Sequence, residues 1–175
     1  MRLRTGRLLL LGLLAGMVAA SLPRSLRAAE SGFSVSIDAS HAQPRQVEEA
    51  TVAVLQRDYG LAWRTMAKAL EENRPELLNA AFVGIAKDKL TQAISNQASN
   101  GLRRRYIDRG HTVRVVFYSI DGSAIEMHDT ARIEIQLLDG DKVVHSEKAT
   151  MFYVALMSPA ENSWKVRALQ SVPGF

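Results

Sequence analysis

The chain has 175 residues, 47% of them hydrophobic, which is enough for one domain with a substantial core. It contains no cysteine, so disulfides and thiolate-held zinc or iron–sulfur sites are excluded. The formal net charge is +4, but residues 1–29 hold five arginines and no acid, so residues 30–175 carry 4 − 5 = −1. A nearly neutral domain gives no electrostatic reason to expect a nucleic-acid partner.

Residues 1–29 have the pattern of a secretory signal peptide. A basic stretch ending at Arg7 precedes an apolar run from Leu8 to Ala20, which is shorter than the roughly 20 residues of a membrane-spanning helix. Small residues end at both Ala20 and Ala29, so either position suits cleavage, and an uncleaved anchor is the alternative. We therefore expect a periplasmic or extracellular protein that has no membrane contact after signal cleavage.

Residues 30–44 are mostly small and polar, and we expect them to form an extended lead-in to the domain at residues 45–175. The apolar side chains of Phe33, Val35 and Ile37 alternate with polar ones, so a short edge strand is the alternative interpretation.

Three helices are predicted between residues 45 and 101. Apolar side chains recur every three or four residues from Val47 to Leu70, which indicates an amphipathic helix of about seven turns. Pro75 ends this helix and starts a short second one over residues 77–85. A third helix follows over residues 89–97, and Gly101 is a good stop signal.

Four antiparallel strands are predicted after the helices. A β-branched and aromatic run covers residues 113–120, and side chains alternate strictly between apolar and polar from Ile125 to Leu137. Asp139-Gly140 suits a two-residue hairpin loop, and the last strand begins near Trp164. The sequence therefore predicts an α+β fold whose N-terminal helices pack in the concave face of a curved, mostly antiparallel four-stranded sheet.

The hairpin loop fixes a predicted register. With Asp139-Gly140 as the loop, Met127 faces Phe152, and Trp164 can then be set opposite Leu156. A slip of one residue would exchange the two faces of a strand, so this register decides which side chains face the helices.

Asp129 interrupts the apolar face of the second predicted strand, between Met127 and Ala131. A buried carboxylate must be paired or neutralised, so Asp129 is either a general base or half of a structural pair with Lys148 or Thr150. A bulge that turns it outward is a further alternative. The predicted pocket around Asp129 has both apolar and polar lining residues: Tyr59, Trp63, Met127, Lys148, Thr150, Phe152 and Gln170.

The outer face of the predicted sheet carries an apolar patch with one cation, formed by Met151, Tyr153, Arg167 and Leu169. Clustered apolar side chains on a face expected to be wet often mark an interface, so we expect a homodimer. A monomer in which the N-terminal segment or Phe175 covers the patch is the alternative. The four histidines lack metal-ligand spacing, and we expect no metal and no cofactor.

The order of elements, the alternation over residues 125–137 and the Trp164-Lys165-Val166 strand resemble the nuclear transport factor two-like superfamily, which includes SnoaL-like domains. The resemblance covers roughly residues 45–173 and implies a cone-shaped fold that often holds a pocket. It departs in one respect, since the small hairpin that several members carry between their helices is not found. Some members are isomerases or dehydratases that use a pocket Asp as base and a Tyr as oxyanion donor. Here those roles would fall to Asp129 and to Tyr59 or Tyr106.

Two functions follow as expectations. The first is an exported, non-catalytic binding or assembly module with a small apolar pocket, whose partner is a small apolar ligand, another protein or a second copy. The alternative is a small isomerase- or hydrolyase-like enzyme that uses Asp129 as general base.

Overall fold

The computed structural model describes residues 33–175, so the predicted signal peptide lies outside the described residues. Within this range the sheet has six strands: β1 is Val35–Asp38, β2 Gln43–Pro44, β3 Leu102–Tyr118, β4 Ile125–Asp139, β5 Lys142–Ala160 and β6 Ser163–Val172. The helices are α1 at Glu49–Glu72, a 3₁₀ helix at Pro75–Ala80 and α2 at Gly84–Ser99. The predicted α+β class is confirmed.

The strand number was wrong, because the sheet has six strands rather than four. Strands β3 to β6 are antiparallel neighbours, while β1 and β2 both pair in parallel with β3 at the edge of the sheet. The stretch expected to be an extended lead-in therefore contains strands, because Val35 is buried and its neighbours pair with residues 111–114 of β3.

The helices form largely where the periodicity predicts them. α1 buries one apolar face and ends at Asn73, whose left-handed backbone (φ 53°) closes the last turn through its own N–H. Pro75 then starts the 3₁₀ helix, as the missing N–H of a first helical residue allows. Gly84 begins α2 at a φ of 54°, so the second predicted helix over residues 77–85 is divided between the 3₁₀ helix and the start of α2.

The predicted register between β4 and β5 was wrong. Gly140 takes the first loop position at a φ of 56°, so the loop is Gly140-Asp141 and Asp139 pairs with Lys142. A bulge between Leu137 and Leu138 adds one more residue. Met127 therefore faces Ala155 instead of Phe152, a shift of 155 − 152 = 3 that exchanges the two faces of β5.

The two-residue loop Glu161-Asn162 places Ala160 opposite Ser163 and sets the register of the first part of β6, while a bulge between Leu156 and Met157 follows further along. Trp164 lies opposite Pro159 rather than Leu156, and Val166 faces Met157. Trp164 is consequently only partly buried, in edge contact with Tyr118.

The core lies between α1 and the inner face of the sheet. Its largest fully buried side chains come from the helices and from β3 to β6, and they are Tyr59, Phe82, Leu55, Leu78, Ile94, Ile125, Met127, Leu138, Met157, Val113, Val115 and Val166. Across residues 33–175 no helix combines the length and apolar character that a membrane crossing requires.

Candidate functional site

Asp129 lies on the inner face of β4 and is completely buried. Its Oδ2 atom accepts a hydrogen bond from the Tyr59 hydroxyl at 2.8 Å and lies 2.7 Å from Nδ1 of His111. Tyr59 comes from α1 and His111 from β3, so three elements meet at this carboxylate. The other ring nitrogen of His111, Nε2, lies 2.8 Å from Oδ2 of Asp108. We call Tyr59, Asp108, His111 and Asp129 the carboxylate–imidazole cluster.

The two carboxylates hold a proton on His111. Burial alone would lower the pKa of this imidazole, but hydrogen bonds to Asp108 and Asp129, together with their negative charge, raise the pKa to about 9. His111 is therefore an imidazolium at neutral pH, and both of its nitrogens donate.

Aromatic rings enclose the cluster. The Trp63 ring packs on the His111 ring at a centroid distance of 4.4 Å, and the rings of Tyr59 and Phe33 each lie 6.1 Å from it. Burial, followed by the charge of Asp129, raises the pKa of Tyr59 well above its ordinary value. Tyr59 thus remains a neutral donor across the physiological range.

Two buried polar atoms at the cluster lack a hydrogen-bond partner within the described part of the chain. They are Oδ1 of Asp129, an acceptor, and Nε1 of Trp63, a donor. No three His, Asp or Glu side chains in residues 33–175 converge in a way that could hold a metal ion.

The structure brings together only part of the predicted pocket. Tyr59, Trp63 and Met127 are buried on the inner side of the sheet, and Tyr59 contacts Asp129. Lys148, Thr150 and Gln170 are exposed instead, and Phe152 pairs with Thr130 on the outer face. The cause is the odd shift of β5, which carries the even-numbered side chains away from the core.

The predicted interface patch does not form. Tyr153 and Leu169 pack against the core, because the shifted registers turn them inward, and Met151 pairs with the buried Ala131. Arg167 is exposed beside Gly84. The outer face carries the partly buried Phe152 and Val154 instead, and the Phe175 ring stacks on His128 at 4.2 Å beside them.

Two members of the cluster, His111 and Asp108, were missed from the sequence. His111 continues the alternation of Val113 and Val115, which face the core, so the same pattern that singled out Asp129 could have found it. Asp108 carries no such signal, because a bulge between Asp108 and Gly110 interrupts the alternation. The structural pairing expected of Asp129 with Lys148 or Thr150 is thus replaced by pairing with Tyr59 and His111.

A groove of about 520 Å³ lies between α1 and the segment that leads into β1, and the Phe33 ring, which lies 6.1 Å from the His111 ring, lines it. We call it the β1–α1 groove. Its lining residues are Phe33, Ser34, Val35, Ala53, Gln56, Arg57, Gly60 and Arg64. Asp129 does not line it, so the groove and the carboxylate–imidazole cluster are separate features joined through one aromatic ring.

The charge on His111 makes stability depend on pH. The folded state raises the pKa of His111 from 6.5 to about 9, so its contribution is full below about pH 6.5 and is lost as pH rises through about 9. We expect urea melts to show that the unfolding free energy falls by on the order of 3 kcal/mol from about pH 6 to about pH 9.5. The fall should shrink strongly in His111→Phe, and an equal fall in both proteins would contradict the assignment.

Comparisons with known proteins bear on the fold. No family model matches the sequence, and neither does any curated protein. Among solved structures, the chain resembles the intermembrane space region of the chloroplast protein ARC6 with a TM-score of 0.63 at 16% identity, over 73% of this chain and 98% of that one. The chain therefore shares the coarse α+β fold of that structure, which agrees with the fold that the resemblance to nuclear transport factor two-like domains predicts.

Two further structures share 14% identity with the chain. Aln2 from a Streptomyces species matches with a TM-score of 0.48 over 73% of this chain and 93% of its own. A calcium/calmodulin-dependent protein kinase II association domain from Xanthomonas campestris matches with a TM-score of 0.42 over 75% and 93%. At these scores neither carries an argument about this chain.

Proposed function

We propose that the protein is an exported, non-catalytic binding or assembly module, with a sheet that curves around α1 as a cone. The observation that carries the proposal is the state of Asp129, the carboxylate best placed to act as a base. It is completely buried, and its Oδ2 is engaged by Tyr59 and His111. A general base must reach the proton that it abstracts, and Asp129 has no exposed surface through which a substrate could reach it.

Features of the surface support a binding role over a catalytic one. The β1–α1 groove is open to solvent and combines apolar with cationic lining. Phe175 is 60% exposed although it stacks on His128, so an aromatic side chain stands on the outer sheet face. Exposed aromatic side chains beside partly buried apolar ones are typical of partner-binding surfaces. A homodimer through this face remains part of the proposal, with Phe152 and Val154 in place of Tyr153 and Leu169.

The enzyme is the second candidate, and one observation favours it. Tyr59 and Asp129, a hydroxyl donor and a carboxylate, are buried neighbours whose oxygens lie 2.8 Å apart. In an isomerase-like site both groups would contact the substrate instead, so this hydrogen bond would have to break. Asp129 would act as general base only in a form of the protein in which Phe33 or a neighbour moves aside. A carbonyl compound whose turnover disappears in a folded Asp129→Asn variant would establish the enzyme and end the non-catalytic proposal.

Export is tested by expressing the full chain with its own N-terminus in a bacterial host. We expect the protein in the periplasmic fraction, with an intact mass that lacks roughly 20 to 29 residues. Replacing the basic residues Arg2, Arg4 and Arg7 by Glu should retain it in the cytosol at full length, which provides the control. Wild-type protein found only in the cytosol at its full mass would refute export.

A further inference from the structure

We propose that the β1–α1 groove binds a small organic anion with an apolar body, such as an aromatic or alkyl carboxylate or sulfonate. The proposal deepens the binding role given above and rests on it, because it names the class of ligand that such a module would take. The groove volume of about 520 Å³ lies within the range of small-molecule sites in proteins.

The groove exists because small side chains recur along one face of α1. Ala53, Arg57, Gly60 and Arg64 follow one another at spacings of four, three and four, so they share a face over about 16 Å of helix. Ala53 and Gly60 have little or no side chain and form the floor of the groove, while the longer side chains of the two arginines extend above it. Phe33 and Ser34, which precede β1, and Val35, its first residue, form the opposite wall.

Gly60 has a specific role in this floor. A Cβ atom at Gly60 would lie 3.3 Å from Cε1 of Phe33 and 3.4 Å from Nη1 of Arg64, which is tighter than ordinary packing. The missing side chain therefore lets the Phe33 ring lie directly on the helix. A glycine inside a helix costs about 1 kcal/mol relative to alanine, and here that cost makes room for an aromatic surface inside the groove.

The charge of the lining selects an anion. Two guanidinium groups, one amide and one hydroxyl line the groove, and none of its lining residues is acidic. Arg57 is less available to a ligand, because its Nε already donates a hydrogen bond to Asp58 at 2.8 Å. Arg64 lies over the Phe33 ring at 5.0 Å and has no carboxylate partner among residues 33–175, so it is the anchor that we assign to the anionic group.

The apolar part of the lining selects the body of the ligand. The apolar lining residues are Phe33, Val35, Ala53 and Gly60, and Gly60 lies against both Phe33 and Arg64. We call these four residues the apolar strip. An anion held by Arg64 would lay an attached ring or alkyl chain along this strip and against Phe33. A simple inorganic anion would use only the guanidinium groups and would leave the apolar strip in water, so it should bind more weakly.

The test is a calorimetric titration of the purified full-length protein with naphthalene-2-sulfonate. We expect saturable binding, with inorganic sulfate binding at least about tenfold more weakly. Arg64→Gln should raise the dissociation constant about tenfold, which corresponds to the loss of one charge-assisted contact. Ala53→Trp should abolish binding by filling the groove, while circular dichroism shows that the fold is retained.

Lys68→Gln is the matched control, because Lys68 lies one turn beyond Arg64 on the same helix and loses the same charge. Its dissociation constant should change less than about twofold. Equal effects of Arg64→Gln and Lys68→Gln, sulfate binding as tight as that of the naphthalene compound, or no saturable binding would each overturn the proposal. Those outcomes leave the export experiment unaffected, so the failure of the groove and of the exported module can be told apart.

Discussion

Replacing Asp129 by Ala should destabilise the protein by about 3–5 kcal/mol, because it removes one partner from a buried, charged, hydrogen-bonded pair. The change leaves the Tyr59 hydroxyl without an acceptor and leaves the His111 imidazolium with Asp108 alone. The Nδ1–H of His111 and the hydroxyl of Tyr59 would both be buried and unsatisfied, and each such group carries a desolvation cost of about 1–3 kcal/mol. Urea melts near neutral pH measure the loss.

Asp88→Ala is a suitable control, because Asp88 is exposed on α2 and its replacement should change stability by less than about 0.5 kcal/mol. The double variant Asp129→Ala with His111→Phe should recover part of the loss, since it removes the orphaned charge along with its partner. If Asp129→Ala alone lowered the unfolding free energy by less than about 1 kcal/mol, Asp129 and His111 would not form the coupled buried pair described.

Trp63→Ala should lower the unfolding free energy by about 3–5 kcal/mol, which is the usual range for truncating a large buried aromatic side chain. Trp63 is only 3% exposed and contacts three rings, those of His111, Tyr59 and Tyr153. Its Nε1 atom has no hydrogen-bond partner among the described residues, so the loss comes from packing and from the cavity that is left. The second tryptophan of the chain, Trp164, is the matched control.

Trp164 is partly buried and touches Tyr118 by its edge, so Trp164→Ala should cost roughly half as much as Trp63→Ala. Chemical denaturation of both variants compares them directly. If Trp164→Ala proves the more damaging of the two, the registers of β5 and β6 are other than described, and the side chain lies deeper than its position opposite Pro159 implies.

Side-chain periodicity accounted for much of the fold. The three-and-four spacing from Val47 to Leu70 predicted α1, and the alternation along β4 predicted that Asp129 would face the helices. Both signals are local and repeat over many residues, so single exceptions do not obscure them. The same alternation also held for His111, although its meaning depends on a partner that lies on a different strand.

The register between the strands could not be predicted from the local sequence pattern. Asp139-Gly140 fits a loop in which both residues have positive φ, but Gly140-Asp141 fits an equally short loop with Gly first, and the chain adopts the second. The bulge beside Leu138 then adds another residue without any marker in the sequence. Because faces alternate with every residue, these two local choices moved Lys148 and Thr150 out of the predicted pocket and brought Tyr153 in.

The parallel pairing of β1 with β3 also bears on the order in which the molecule assembles. Val35 pairs with His111, so 111 − 35 = 76 residues of chain, including both α-helices, must be made and brought together before β1 can dock. Contacts between residues so far apart in sequence carry a large loop-closure entropy and form slowly. One wall of the β1–α1 groove belongs to this late-forming strand. We therefore expect the groove to form only after β1 has paired with β3.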